Sequence, residues 1–257
     1  MSRTEVVVYE NPDLLAAAAA ARLVTRIVDV QAARGTASVV LTGGGTGIAV
    51  LRELRESSAR DAIDWSRLDV YWGDERFVPA DSDERNEKGA REALLDHVPL
   101  APERVHAMAP SDGEFGDDVD AAAEAYAKVL SDAAGPDADV PEFDIMLLGL
   151  GGEGHTASLF PETDEVRETQ RSVVPVRDCP KPPPTRVSLT LPAIRRAREV
   201  WLMTAGTAKA DAVAQALAGA PETQIPVAGA RGYRRTLWLL DREAAGKLTK
   251  VYQPPAE

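Results

Sequence analysis

The chain has 257 residues, 44% of them hydrophobic, which is ample for a sizeable core in one large domain or two small ones. It carries 41 acidic against 29 basic residues, a formal charge of −12, and this argues against non-specific binding to nucleic acid or an anionic membrane, because phosphate affinity rests on Lys and Arg. The single cysteine, Cys179, excludes an intrachain disulfide and a Cys-based zinc site. The N-terminus lacks an apolar signal core, and no apolar run approaches the roughly 18 residues that span a bilayer, so a soluble cytoplasmic protein is expected.

Along the chain, β-rich runs alternate with helical stretches. Val6–Tyr9 reads as a first strand. Asn11-Pro12-Asp13 then offers a helix start, Leu14 to Arg34 an Ala-rich helix, and Gly35 its stop. Ser38–Thr42 reads as the second strand, running into Gly43-Gly44-Gly45-Thr46-Gly47 and a helix from Ile48 to Ser57. Leu68–Trp72 is a third strand, followed by the polar loop Gly73–Arg76. Helices are expected over Asn86–His97 and Val119–Asp132, separated by an acidic loop. Phe143–Leu150 is the most hydrophobic strand and reads as buried on both faces. Val173–Val176 and Val187–Leu191 are extended runs flanking a proline-stiffened loop, Pro180–Pro184. Val200–Thr204, a helix over Lys209–Ala218 and Thr236–Leu240 complete the pattern, and the tail at 251–257 is expected to fray.

Strands alternating with helices indicate an open, mainly parallel, Rossmann-like α/β sheet with helices on both faces. The expectation is one domain over 1–257, with room for a small extra lobe. Ligands bind such sheets beyond the carboxyl ends of the strands. The loops after the second, third and 143–150 strands should therefore meet at one edge.

Those loops carry the chemistry. In LTGGGTG, the glycines let backbone amides at a helix start approach an anion; the pattern is neither the nucleotide P-loop nor G-x-G-x-x-G, and suits a sugar phosphate. In WGDERFVP, Arg76 can turn to an anionic or carbonyl group while an acidic neighbour orients it. In GLGGEGHTASLFP, His155 follows a glycine-rich turn at the edge of the sheet, with the exposure and near-neutral pKa of a general base. Glu153 stands two residues earlier and can orient its ring. His97 and His106 read as structural, and Cys179 as non-catalytic. Lys181 and Arg186, on the stiff loop of PKPPPTRVSLTLP, suggest an anion site. Lys209, in GTAKA, sits at a helix start that the dipole does not favour for a cation, which suggests a ligand. No H-E-x-x-H pattern, carboxylate triad or Cys cluster points to a metal, and no G-x-S-x-G elbow to a serine esterase.

In this order, the segments LTGGGTG, WGDERFVP, GLGGEGHTASLFP and PKPPPTRVSLTLP resemble those of the 6-phosphogluconolactonases, as do GTAKA and TLWLLDREAA, over about residues 5 to 250. The related glucosamine-6-phosphate deaminases would show DEY at Asp74-Glu75-Arg76 and HIAFNEP at 155–161; this chain has the lactonase version of both. It has Glu153-Gly154-His155 where the family often has Asp-Gly-His, and Gly152 where proline is common.

The resemblance implies hydrolysis of 6-phospho-D-glucono-1,5-lactone to 6-phosphogluconate, the second step of the oxidative pentose phosphate pathway, with no cofactor. It also implies roles. The amides of Gly44, Gly45 and Thr46, next to Gly43, would hold the phosphate with Arg186 and Lys209. Lys181 and Asp74 would join the substrate site. His155 would activate water, and Arg76 or a nearby amide would stabilise the oxyanion. The expected partner is a small sugar-phosphate lactone, with no nucleic acid and no membrane, for a monomer or small homo-oligomer. A deaminase or isomerase-like enzyme and a non-catalytic sugar-phosphate sensor are the alternatives.

Overall fold

The computed structural model describes residues 3–248, so the tail expected to fray lies outside them. The strands are β1 (Arg3–Tyr9), β2 (Ala37–Leu41), β3 (Leu68–Trp72), β4 (Asp74–Arg76), β5 (Val105–His106), β6 (Ile145–Leu148), β7 (Val173–Val176), β8 (Arg186–Leu189), β9 (Glu199–Thr204) and β10 (Arg235–Asp241). The α-helices are α1 (Pro12–Arg34), α2 (Gly44–Glu56), α3 (Asn86–Ala93), α4 (Val119–Ala134), α5 (Asp164–Arg167), α6 (Leu191–Ile194) and α7 (Ala210–Leu217).

Helix α1 has the ends its sequence implies. The Asn11 side chain accepts from the Leu14 amide at 2.9 Å, Pro12 opens the helix, and Gly35 closes it at φ 85°. Leu15, Ala19, Leu23, Ile27 and Val30 recur at helical spacing and are buried. Helix α2 begins inside the glycine run, at Gly44 rather than Ile48, with Gly43 as its N-cap. No side chain caps it, so the amides of its first turn are left for another acceptor. The helix expected over 86–97 breaks after Ala93 into a short 3₁₀ turn at Leu95–His97.

Seven strands form one parallel sheet in the order β1-β10-β9-β6-β2-β3-β5. All four residues of β6 and all six of β9 are buried, which explains the hydrophobic runs Ile145–Leu148 and Val200–Met203. The chain leaves β2 toward β3 on one side and returns to β6 on the other. The crevice between the carboxyl ends of β2 and β6 is therefore the switch point at which such sheets bind ligands.

The sequence reading took Gly73–Arg76 as a loop. Instead, β4 is a strand of a second, antiparallel sheet in the order β4-β8-β7. Asp74, Glu75 and Arg76 look like a loop in sequence because the strand has three residues and its partner is over a hundred positions away. Val173, Val187 and Leu189 of this sheet belong to the same continuous core as the parallel strands. Among the described residues, no helix is long and apolar enough to cross a membrane.

Candidate active site

The loop from Gly149 to Phe160 leaves β6 at the switch point and folds back on itself. The Gly151 amide donates to the His155 carbonyl at 2.9 Å, and Thr156 Oγ1 donates to the Gly149 carbonyl at 2.9 Å. Glycine at 151 leaves room for the imidazole, because a Cβ there would overlap the His155 ring. The ring is held from two further sides. It stacks on Phe160 at 4.4 Å between centroids, and its Nδ1 lies 2.9 Å from Glu153 Oε1. Lys181 Nζ donates to the other Glu153 oxygen at 2.8 Å.

This chain defines the protonation of His155. Burial works to raise the Glu153 pKa, but Lys181, the Glu153 backbone amide and His155 together hold it at about 2. A carboxylate only accepts, so Nδ1 carries the imidazole proton and Nε2 keeps its lone pair. Burial lowers the His155 pKa below its ordinary value, with Glu153 opposing, so the ring is neutral near pH 7. The carboxylate that contacts the His155 ring is Glu153. Its extra methylene does not prevent contact.

The facing wall comes from the small sheet. Asp74 is buried and accepts from Ser158 Oγ at 2.7 Å, and the Ser158 amide donates to Ser188 Oγ at 3.1 Å. Arg76 and Arg186 are direct cross-strand partners on β4 and β8. Like charges placed opposite each other repel, and an anion between them would remove that cost. Arg186 is only 4% exposed and is oriented by the carbonyls of Lys181, Pro182 and Pro183. Arg76 Nη1 donates to the Glu84 carbonyl at 2.6 Å.

Thr42, Gly43, Gly44, Asp74, Arg76, Asn86, Gly149, Leu150, His155, Ala157 and Arg186 line one open cleft. The expected residues His155, Arg76, Arg186, Asp74, Gly43 and Gly44 thus converge. Gly45 and Thr46 continue the first turn of α2 and do not line the cleft. Lys181 was expected at the anion, but its ammonium closes onto Glu153. Lys209 is the N-cap of α7, half-buried beside Lys181 and Glu153; burial and then Lys181 lower its pKa.

Asn86 was read only as a helix start, yet it is buried in the cleft wall and donates to the Asp74 carbonyl at 2.9 Å. Ala157, at φ 49°, and the buried Ser158 were also missed. A single sequence marks none of the three, since Asn, Ala and Ser at such places are common in ordinary turns and helix starts. His106 stacks on Tyr71 and pairs with Asp69, and the His97 ring contacts the Glu92 carbonyl, both away from the cleft.

A family model described as glucosamine-6-phosphate isomerases/6-phosphogluconolactonase matches residues 10–238. A Streptomyces coelicolor protein named 6-phosphogluconolactonase is 61% identical over 254 residues, covering 98% of this chain and 97% of its own. One of the same name from Mycobacterium tuberculosis is 55% identical over 245 residues, covering 95% and 98%. The solved structure of 6-phosphogluconolactonase from Trypanosoma brucei superposes with a TM-score of 0.83 at 31% identity, covering 97% of this chain and all of that one. A monomeric glucosamine-6-phosphate deaminase shares the fold alone, at 20% identity and a TM-score of 0.76. Matched along nearly its whole length, the chain belongs to the glucosamine-6-phosphate isomerases/6-phosphogluconolactonase family.

Proposed function

We propose that this protein hydrolyses 6-phospho-D-glucono-1,5-lactone to 6-phosphogluconate, with His155 as general base. The carrying observation is His155, held at Nδ1 by Glu153, in one cleft with the cross-strand pair Arg76 and Arg186. The names of the full-length relatives supply the substrate.

The 6-phosphate lies between Arg76 and Arg186, whose guanidinium forks suit its oxygens. The resemblance gives the phosphate to the glycine amides and the oxyanion to Arg76 or a nearby amide; the register of Arg76 opposite Arg186 favours the reverse. Asp74, a carboxylate, would repel phosphate and accepts sugar hydroxyls instead, with Asn86 beside it. His155 Nε2 takes a proton from water as the oxygen attacks the lactone carbonyl. The free amides at the start of α2 stabilise the negative charge that develops there. The tetrahedral species collapses, the C1–ring oxygen bond breaks, and His155 returns its proton to the departing oxygen. The product carboxylic acid is ionised at neutral pH, so each turnover releases one proton.

Glucosamine-6-phosphate deamination is the competing reaction, because that fold is shared. The test is a pH-stat record of freshly generated lactone beside glucosamine 6-phosphate assayed for ammonia. Acid release well above the spontaneous rate, without ammonia, is expected. Ammonia release with no acceleration of lactone opening would overturn the proposal.

A further inference from the structure

We infer that Glu75 is a positioning residue for the substrate-binding wall: its buried carboxylate ties the backbone of Arg76 to the first turn of α3 and so sets where Arg76, Asn86 and the glycine loop meet the substrate. The inference rests on the lactonase reading for its assay, not for its geometry.

Glu75 is 1% exposed and does not line the cleft, so it cannot touch the substrate. Its Oε1 accepts from the amides of Arg76 at 2.8 Å and Asn86 at 2.7 Å. Its Oε2 accepts from the Glu87 amide at 2.8 Å, with Arg85 Nη2 3.8 Å away. Asn86 and Glu87 open α3, and the N-cap Arg85 offers that helix no side-chain acceptor. A carboxylate on a neighbouring strand therefore caps the helix and anchors it to β4.

The consequence reaches the cleft through Asn86. Its carboxamide donates to the Asp74 carbonyl, and its other side packs on Gly43, where a Cβ would overlap it. Asn86 thus wedges between β4 and the start of α2. A shift of the first turn of α3 moves Asn86 against both, and moves the Glu84 carbonyl that holds Arg76.

In its ionised form the carboxylate accepts from all three amides at once and brings no donor of its own. A glutamine presents an NH₂ to at least one of the three amides in either orientation, leaving buried donors facing each other. Arg76 and Asn86 act on substrate and transition state alike, so their displacement appears in KM. His155 is held by a separate loop, so kcat and its pH dependence should persist.

The experiment compares wild type, Glu75→Gln, Glu75→Asp and Asn86→Ala by pH-stat kinetics and thermal melting. In Glu75→Gln, KM should rise by about tenfold or more, the scale of one broken buried hydrogen bond to a charged group. Its kcat should stay within about threefold of wild type, and the acid limb set by His155 should not move. Glu75→Asp should show a smaller rise in KM. Asn86→Ala should raise KM too, and the Glu75→Gln/Asn86→Ala double variant should lose less than the product of the two effects.

A lower melting temperature with KM unchanged in both Glu75 variants would mean a purely structural role and overturn the inference. So would a double variant that loses the full product. If Glu75→Gln does not fold, Glu75→Asp and its cycle with Asn86→Ala decide the matter in the same way. If wild type does not open the lactone, the lactonase reading fails separately. Glu75 is then judged by calorimetric binding of 6-phosphogluconate, where equal affinity in wild type and Glu75→Asp would overturn it.

Discussion

His155 is held on three sides: by the turn that Gly151 permits, by Phe160 against its face and by Glu153 on Nδ1. Proton transfer belongs to the transition state, so His155→Ala should lower kcat by about 10²-fold or more with a smaller change in KM. Steady-state kinetics check this, and an unchanged kcat would remove His155 from the base role. A general base acts in its neutral form. Because burial lowers the His155 pKa, the acid limb of kcat/KM should have its inflection below pH 6.5, the ordinary value for histidine. Arg186 is fixed by three carbonyls and a buried setting, ready before substrate arrives. Arg186→Ala should raise KM by about tenfold or more, the loss of charge-assisted bonds to phosphate, and leave kcat less affected.

At the scale of elements, the glycines of the two site loops serve different ends. Gly43 and Gly44 start α2 without a side-chain cap and leave its amides open. Gly151 and Gly154 let the 149–160 loop turn tightly enough to bring His155 over Glu153. A Cβ at Gly151 would strike the imidazole rather than the backbone, so Gly151→Ala should fold and yet lose activity. The expected result is a drop in kcat on the scale of His155→Ala, with circular dichroism unchanged; full activity would show that the ring need not stay where the turn puts it. The short β4–β8 pairing is the other decisive element. Three residue pairs place Asp74 and Arg76 against Ser188 and Arg186, and so build one wall of the cleft from two distant stretches of chain.

Across the whole molecule, three buried or half-buried groups couple folding to pH in opposite senses. Burial pushes the Glu75 carboxyl from 4.5 up to about 7, against Arg85 and its amide partners. Between those values the native state binds the extra proton, so this contribution to stability falls as pH rises. Glu153, held at about 2, contributes stability that is present above its unfolded value of 4.5 and is lost as pH falls toward 2. His155, with its pKa lowered from 6.5, loses stability as pH falls below 6.5, because the unfolded ring takes a proton that the native one refuses. Comparing wild type with Glu75→Gln cancels the last two. The stability of wild type relative to the variant should therefore fall as pH rises from about 4.5 to about 7. Denaturant unfolding at a series of pH values checks this, and a difference independent of pH would contradict it.

The alternation of strands and helices, the ends of α1 and the position of His155 after β6 were legible in the chain because they depend on neighbours in sequence. Asn11, Pro12 and Gly35 act within one turn of their own position, and the hydrophobic run over β6 follows from burial on both faces. The order of the loops, together with the resemblance they carry, was enough to name the chemistry. The rest was decided by contacts between distant residues. DER is a strand only because β8 pairs with it across more than a hundred positions, and Arg76 faces Arg186 only through that register. Lys181 reaches Glu153 because the proline loop brings its ammonium there. Asn86 enters the cleft wall because Glu75 holds the start of α3 in place. Local chemistry chooses elements and turns, whereas cross-strand register and buried polar partners exist only once the sheets have assembled, and they gave each charge in this cleft its role.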